Sequence, residues 1–199
     1  MSTLRDDITV PVRYLGSVSR FAAMASARRV WIDPDARFDK RDKATHRTVI
    51  ADANGVISLT VPIVRPQSLT AARLADIRIS PHDHWWNIHF TALASAYGRT
   101  PFFEFYADDF RRFYTDRWVG QTIVEYDAAL DALLCRLLDI RAEIIYGPAP
   151  AGAAALADIP FTPRPYYQIR ADRQGFIPDL SVVDLLFNLG PEATLHLDP

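Results

Sequence analysis

The chain has 199 residues, and its 49% apolar and 23% charged residues are typical of one ordinary globular domain and exclude global disorder. A net charge of −2 excludes a globally basic nucleic-acid binder, and the single cysteine excludes an intramolecular disulfide or a cysteine-based zinc cluster. The first seven residues lack the pattern of a signal peptide, and no stretch approaches the roughly 18 apolar residues of a membrane span. We therefore expect a cytoplasmic protein with no membrane span and no nucleic-acid partner.

The N-terminal residues have the pattern of a strand–helix–strand unit. In residues 8–14 apolar positions alternate with polar ones, which predicts a strand, and Pro11 favours an edge position for it. The Ala-rich residues 18–27 predict a helix, and residues 30–32 predict a short buried strand that ends at Asp33. This order within about 25 residues is typical of a βαβ unit.

A β-hairpin is predicted next along the chain. Residues 46–51 and 56–61 are strand-like and flank Ala53-Asn54-Gly55, where Asn and Gly tolerate the positive φ angles of hairpin turns. Residues 76–79 suggest one more strand. The predicted fold is a single α/β domain over residues 1–199, in which a small mixed sheet with a β-hairpin packs against several helices.

Helical patterns dominate the following segments. Residues 85–97 place Trp85, His89 and Tyr97 on one apolar face, and Gly98 ends the helix.

The clearest apolar stripe runs through residues 119–138. On this second helix Asp127 and Asp131 are expected to face water, and Cys135 is expected to be inert packing.

The C-terminal part begins with a Pro/Ala/Gly-rich segment at residues 147–165, which predicts a surface connection within the domain. A short helix follows, with Ser181 as its N-cap, Asp184 in a variant capping box and Gly190 at its end. Because this helix is apolar on more than one face, we expect the main body to bury it.

A basic stretch near the N-terminus offers candidate ligand-binding residues. Asp33 follows a predicted strand, where α/β folds place ligand contacts, and Lys40, Lys43 and Arg47 could clamp a phosphate or a carboxylate. The alternative is an exposed charged loop, and the chemistry of the residues leaves both interpretations open.

Three of the five histidines, His82, His84 and His89, lie within eight residues. Their spacing matches no standard metal motif, so no metal site is predicted. His89 is either a histidine at the edge of the core or a general acid/base, since histidine titrates near neutral pH. The common nucleotide-binding, hydrolase and metalloprotease motifs are absent from the sequence.

Several segments in the same order together resemble the WbqC-like protein family. They include Tyr14-Leu15, Asp33 with Phe38 and Lys40, residues 46–50, 53–55, 59–62 and 76–79, the run Trp85, His89, Leu93 and Tyr97, residues 101–106, residues 166–168 and residues 175–191. The resemblance covers residues 14–197. It departs from the family at Gly16-Ser17-Val18-Ser19, where members usually have a proline-containing turn, and in a Lys-to-Arg stretch that is one residue longer.

The resemblance implies a role in surface-polysaccharide pathways, because the family is associated with O-antigen gene clusters. The resemblance indicates a pathway and not a reaction, and it names no cofactor. Our first hypothesis for the reaction is a transferase acting on an anionic nucleotide-sugar, glycan or acyl-sugar intermediate. The expected catalytic residues are His89 and Asp33, and the expected substrate-binding residues are Tyr14, Lys40, Arg47, Trp85 and Tyr97. The alternative is a non-catalytic binding or scaffold protein of the same pathway, acting as a homodimer or with a pathway partner.

Overall fold

A parallel sheet of four strands forms the centre of the molecule, which a computed structural model describes over residues 4–66, 68 and 71–197. Its strand order is β5-β2-β1-β6, and a separate antiparallel pair joins β3 to β4. The strands are β1 (Arg5–Thr9), β2 (Ala27–Ile32), β3 (Arg47–Asp52), β4 (Gly55–Thr60), β5 (Glu143–Tyr146) and β6 (Ala154–Ala155).

The described residues form six helices. They are α1 (Val18–Ala25), α2 (Trp85–Tyr97), α3 (Phe103–Arg111), α4 (Ile123–Leu137), α5 (Ala171–Gln174) and α6 (Val182–Leu189). All of them except the short α5 contribute side chains to the hydrophobic core that they share with the two sheets. The predicted α/β domain is thus confirmed, with the difference that its strands form two sheets and not one mixed sheet. Among the described residues, no helix has the length and apolarity that crossing a membrane requires.

The predicted βαβ unit is present as β1, α1 and β2, but its first strand begins and ends earlier than predicted. Val10, Val12 and Tyr14 are buried, as the alternation indicated, yet they lie in an extended segment beyond the strand. Proline lacks the N–H that a ladder needs, and the neighbouring strand β6 has only two residues. Pro11 therefore marks where the chain leaves the sheet and begins the loop into α1.

The hairpin is confirmed in the antiparallel pairing of β3 and β4, from Arg47 opposite Thr60 to Asp52 opposite Gly55. Its loop is one residue earlier than expected, because Ala53 and Asn54 form the turn and Gly55 begins β4 with a φ of 120°. The strand predicted at residues 76–79 is wrong: a short 3-10 turn and isolated bridges occupy this region.

The helix α2 begins and ends where the pattern predicted. Helix α4 begins four residues later than predicted, at Ile123. Thr122 caps α4, since its hydroxyl accepts from the backbone N–H of Glu125 while the Glu125 carboxylate accepts from Thr122. The expectation that Asp127 and Asp131 face water is wrong, because both side chains are buried against other elements. Cys135 is buried too, and burial raises the pKa of its thiol to about 12.

The C-terminal helix α6 is buried on almost every face, as predicted. Phe187 contacts the rings of Tyr97, Phe103 and Phe110, at centroid distances of 5.3, 5.1 and 5.1 Å. The predicted capping box is wrong: Asp184 points into the core instead of capping the helix.

The Pro/Ala/Gly-rich residues 147–165 contain β6, whose Ala154 and Ala155 pair with Ile8 and Thr9 of β1. This segment therefore supplies an edge strand of the parallel sheet. Its position brings Leu156 close to the loop that follows β1.

Candidate functional site

A groove of about 560 Å³ lies at the carboxyl edge of the parallel sheet. Its walls are residues 9–13 after β1, Asp33 after β2 and residues 155–157 at the end of β6. The chain runs from β1 to β2 on one side and places β6 on the other side, so β1 marks the point where the strand order reverses. Open α/β sheets bind their ligands at such a switch point. We call this cavity the sheet-edge groove.

A smaller cavity of about 150 Å³ adjoins it and is lined by residues 13–17 together with Arg47 and Ser181. We call it the turn cavity. The two cavities share Arg13 and Leu156 as wall residues, so they are neighbouring parts of one surface region. A ligand that fills the groove can therefore extend a polar group towards Arg47.

The loop between β1 and α1 is held in a strained shape. Leu15 has a φ of 42°, and its carbonyl oxygen accepts hydrogen bonds of 2.8 Å from the hydroxyls of Thr48 and Ser181. Gly16 is needed beside it, because a Cβ there would lie 2.8 Å from Cδ of Arg20. The Gly16-Ser17-Val18-Ser19 turn is thus fitted to the buried Arg20.

Positive charge at this surface comes from two arginines on different elements. Arg13 forms a salt bridge of 2.9 Å with Asp42, and Nε of Arg47 donates to the hydroxyl of Thr60 at 2.8 Å. The N-terminus of α1 is already occupied by a side chain of the protein. Asp179 accepts from the backbone N–H and the hydroxyl of Ser19 at 2.7 and 2.9 Å, so an anion from solution would compete with it.

Behind the turn cavity lies a buried cluster of rings that joins three of the predicted site residues. The hydroxyl of Tyr14 lies 2.9 Å from Nδ1 of His89 and 3.1 Å from the hydroxyl of Tyr114. The ring of Trp85 packs edge-on against His89, with centroids 5.2 Å apart. Tyr14, Trp85 and His89 therefore meet, although 75 residues separate the first from the last.

Burial keeps this cluster uncharged at neutral pH. Burial lowers the pKa of His89 to about 4, against a weaker opposing effect of its hydrogen bond to the backbone of Thr60. Burial likewise raises the pKa of Tyr14 well above its usual value. With Thr60 accepting from one ring nitrogen, the other nitrogen of His89 accepts from the Tyr14 hydroxyl. His89 thus holds Tyr14 in place from inside the core.

Two buried carboxyl groups of α4 lie beneath the same loop. Both oxygens of Asp131 accept from the guanidinium of Arg20, at 2.9 and 2.7 Å. Asp127, one turn earlier, has no hydrogen-bond partner for either oxygen among the described residues. Burial raises the pKa of Asp127 well above its usual value, with the charge of Asp131 acting in the same direction. Sequence reasoning missed both groups, because an acidic residue within a helix normally faces water.

The other predicted residues lie apart from this cluster. Asp33 is half-buried in the sheet-edge groove, where its carboxylate also accepts from the backbone N–H of Asp35 at 2.9 Å. Arg47 lines the turn cavity, and Lys40 is exposed on the loop after β2. Tyr97 belongs to a second buried cluster, where its hydroxyl donates to Asp184 at 2.9 Å.

The neighbouring histidines outside the core make local contacts. Nδ1 of His82 lies 2.8 Å from the carboxylate of Asp83, and the ring of His84 stacks on Trp86 with centroids 5.1 Å apart. Over the part of the chain that the structure describes, no group of three or more His, Cys, Asp or Glu side chains is arranged to hold a metal ion.

Of the comparisons with known proteins, only the one with family profiles gives a match. No curated protein and no solved structure matches the chain. The profile of the WbqC-like protein family does match, over residues 13–150, a range that includes every predicted site residue from Tyr14 to Tyr97. Since this range is more than half of the sequence, the chain belongs to the WbqC-like protein family.

Proposed function

We propose that the protein is a transferase of surface-polysaccharide biosynthesis, for O-antigen or capsule, and that it binds an anionic nucleotide-sugar, glycan or acyl-sugar intermediate in the sheet-edge groove. The observation that carries this proposal is the position of the groove at the switch point of the parallel sheet, with walls from the ends of three strands. Its volume of about 560 Å³ is within the usual range for a small-molecule site.

The groove has different walls for different parts of such a ligand. Residues such as Pro11, Ala36 and Leu74 form an apolar wall against which a base, a sugar face or an acyl group packs. Arg13, at the junction of the two cavities, and Arg47, in the turn cavity, attract phosphate or carboxylate oxygens.

Asp33 is the catalytic residue in this proposal. Its carboxylate lies just after β2 inside the groove, where it can accept the proton of a sugar hydroxyl that attacks the transferred group. With a nucleotide-sugar, the hydroxyl oxygen bonds to the sugar carbon as the bond from that carbon to the nucleoside diphosphate breaks, and the diphosphate leaves with the electron pair. His89 acts through Tyr14: being buried and neutral, it is a positioning residue that fixes the wall of the turn cavity. Trp85 packs against that histidine, and Lys40 is exposed on the loop after β2.

The proposal is tested by comparing the binding of nucleotide-sugars to the wild type with their binding to the variants Asp33→Asn and Arg47→Gln. Isothermal titration with UDP-glucose, UDP-N-acetylglucosamine and UDP should show binding to the wild type. Arg47→Gln should weaken it by about tenfold, because one charge-assisted contact is lost. Asp33→Asn should leave binding within about threefold while removing transfer to an added sugar acceptor, detected by mass spectrometry.

Matched controls use the exposed residues Asp108 and Arg164, which lie outside both cavities. Asp108→Asn and Arg164→Gln should behave as the wild type does. A protein that binds none of these ligands, or whose Asp33→Asn and Arg47→Gln variants match the controls, would contradict the proposal.

A non-catalytic binding protein is the second candidate, and one observation favours it. Phe105 on α3 is 82% exposed, more than any other large hydrophobic residue in the part of the chain that the structure describes. If this residue joins two copies of the chain, light scattering should give the mass of a dimer, and Phe105→Glu should give a monomer. Groove-dependent binding without any transfer product would support this candidate over the transferase.

A further inference from the structure

We propose that a second cavity, formed by Arg99, Arg170 and Arg173, binds the phosphate group of a small ligand. The cavity lies where the turn of the hairpin, the end of α2 and the short helix α5 meet, and its volume is about 280 Å³. It has no lining residue in common with the sheet-edge groove or the turn cavity. The proposal therefore does not depend on the proposed transferase function.

The composition of the lining is the first argument. Three of its six residues are arginines, one is Asp172, and the other two are Ala53 and Ile169. Three guanidinium groups against one carboxylate leave a local excess of two positive charges in a protein whose net charge is −2. Like charges around one cavity repel each other, and an anion in the cavity relieves this repulsion.

The second argument is the absence of internal partners for two of these arginines. Over the described residues, neither Arg99 nor Arg173 forms a salt bridge. Other arginines of the chain, such as Arg20 and Arg29, are matched bidentately by a carboxylate. The fork of N–H donors on Arg99 and Arg173 thus remains available to a ligand, and this geometry suits phosphate oxygens.

The third argument is that Arg170 is fixed in place. Its guanidinium donates to the carbonyl oxygens of Ala96 and Ser95 in the last turn of α2. Gln174 of α5 in turn donates to the carbonyl oxygens of Asp52 and Ala53 at 2.8 and 3.0 Å, which ties the helix to the hairpin. The cavity is therefore built on three anchored elements, so its charges are held together before a ligand arrives.

The size of the cavity restricts the ligand. A volume of about 280 Å³ lies just below the usual 300–1,000 Å³ of sites for drug-sized molecules. It suits a phosphate or diphosphate group, either free in solution or as the end of a phosphorylated sugar. Both sources share the same oxyanion chemistry, and the experiment separates them.

The test is titration of inorganic pyrophosphate and of glucose 1-phosphate into the wild type and into Arg99→Gln/Arg173→Gln. Both arginines are exposed, so the double variant should fold, which circular dichroism and an unchanged melting temperature check. We expect the variant to bind pyrophosphate at least about tenfold more weakly, and the affinity of the wild type to fall with added salt. Glucose 1-phosphate binding more tightly than pyrophosphate would assign the cavity to a phosphorylated sugar, and weaker binding would assign it to the free anion.

The control double variant Arg65→Gln/Arg164→Gln removes the same charge from two exposed positions outside the cavity. It should bind pyrophosphate within about twofold of the wild type, since distant exposed charges are screened by salt. Equal weakening in both double variants would show a general charge effect and overturn the proposal. A wild type that binds neither phosphate probe would overturn it as well.

Discussion

Two buried carboxyl groups on different helices have opposite surroundings. Asp184 on α6 accepts hydrogen bonds from the hydroxyls of Tyr97 and Tyr166 and from Nε2 of Gln168, at 2.9, 2.7 and 2.9 Å. Asp127 on α4 has no partner for either oxygen among the described residues. Burial raises the pKa of both groups, but only the Asp184 shift is opposed by hydrogen bonds to its carboxylate.

The difference separates a buried carboxyl group that the fold supplies with hydrogen bonds from one that it leaves without a partner. The Asp184 network joins α2, α6 and the loop before α5, so its hydrogen bonds offset the cost of burial. Asp127 lies beneath the loop of the candidate site and contributes no hydrogen bond that would offset its own burial. Folded proteins keep such costs chiefly near functional sites, which agrees with the location of the sheet-edge groove and the turn cavity.

The largest effect is expected from Arg20→Met. This change leaves Asp131 buried without its bidentate partner and next to the unpartnered Asp127, so the free energy of unfolding should fall by about 3–5 kcal/mol. Urea denaturation measures it. The double variant Arg20→Met/Asp131→Leu should recover most of the loss, and a double variant as unstable as the single one would contradict this account.

The second largest effect is expected from Asp184→Ala. The free energy of unfolding should fall by about 2–4 kcal/mol, because two buried hydroxyls and one amide lose their acceptor. Thermal and urea unfolding measure the change. The partner variant Tyr97→Phe removes a single hydrogen bond and should cost about 1 kcal/mol. Equal losses in Asp184→Ala and Asp127→Ala would remove the contrast between the two carboxyl groups.

The free energy of unfolding should change by roughly 3 kcal/mol with pH because of His89. The pKa of this residue is about 4 in the folded state, against an ordinary value of 6.5. The unfolded chain binds a proton at this histidine more readily than the folded protein does. The free energy of unfolding is therefore highest above pH 6.5 and decreases as the pH falls from 6.5 to 4. Urea unfolding across this range measures the slope. His89→Gln should flatten it, whereas His84→Gln, at an exposed position, should leave it unchanged.

The smallest effect is expected from Asp127→Asn, which resembles the protonated acid. The folded state holds the proton of Asp127 more tightly than the unfolded state, so its contribution to stability decreases as the pH rises above the unfolded pKa of 3.8. The variant should match the wild type near pH 4 and exceed it by about 1 kcal/mol at pH 8. Melting temperatures at the two pH values check this, and a variant less stable at pH 8 would show a partner that Asp127 needs in its charged form.

Local patterns in the sequence were sufficient for the elements with a clear apolar period or turn signal, but not for β6 or for residues 76–79. The helical spacing of Trp85, His89 and Tyr97 predicted α2 with its bounds, and the apolar composition of residues 182–189 predicted a buried helix. Strand-like runs on both sides of Asn54-Gly55 predicted the hairpin. These predictions hold because hydrophobic periodicity and turn chemistry act over a few residues.

The partners of buried polar groups were decided by tertiary structure alone. Asp131 is buried because Arg20, 111 residues away, reaches it from α1, and Tyr97 turns to Asp184 across 87 residues. The two-residue strand β6 has no pattern of its own and exists because β1 offers it an open edge. The sheet-edge groove lies at the ends of β1 and β6 and therefore depends on the pairing of these two strands. Sequence determined the elements with a clear local pattern, such as α2, α4 and the hairpin. Long-range packing decided where β6 forms, which charges meet and where a ligand can lie, since contacts between distant residues leave no periodic signal in the chain.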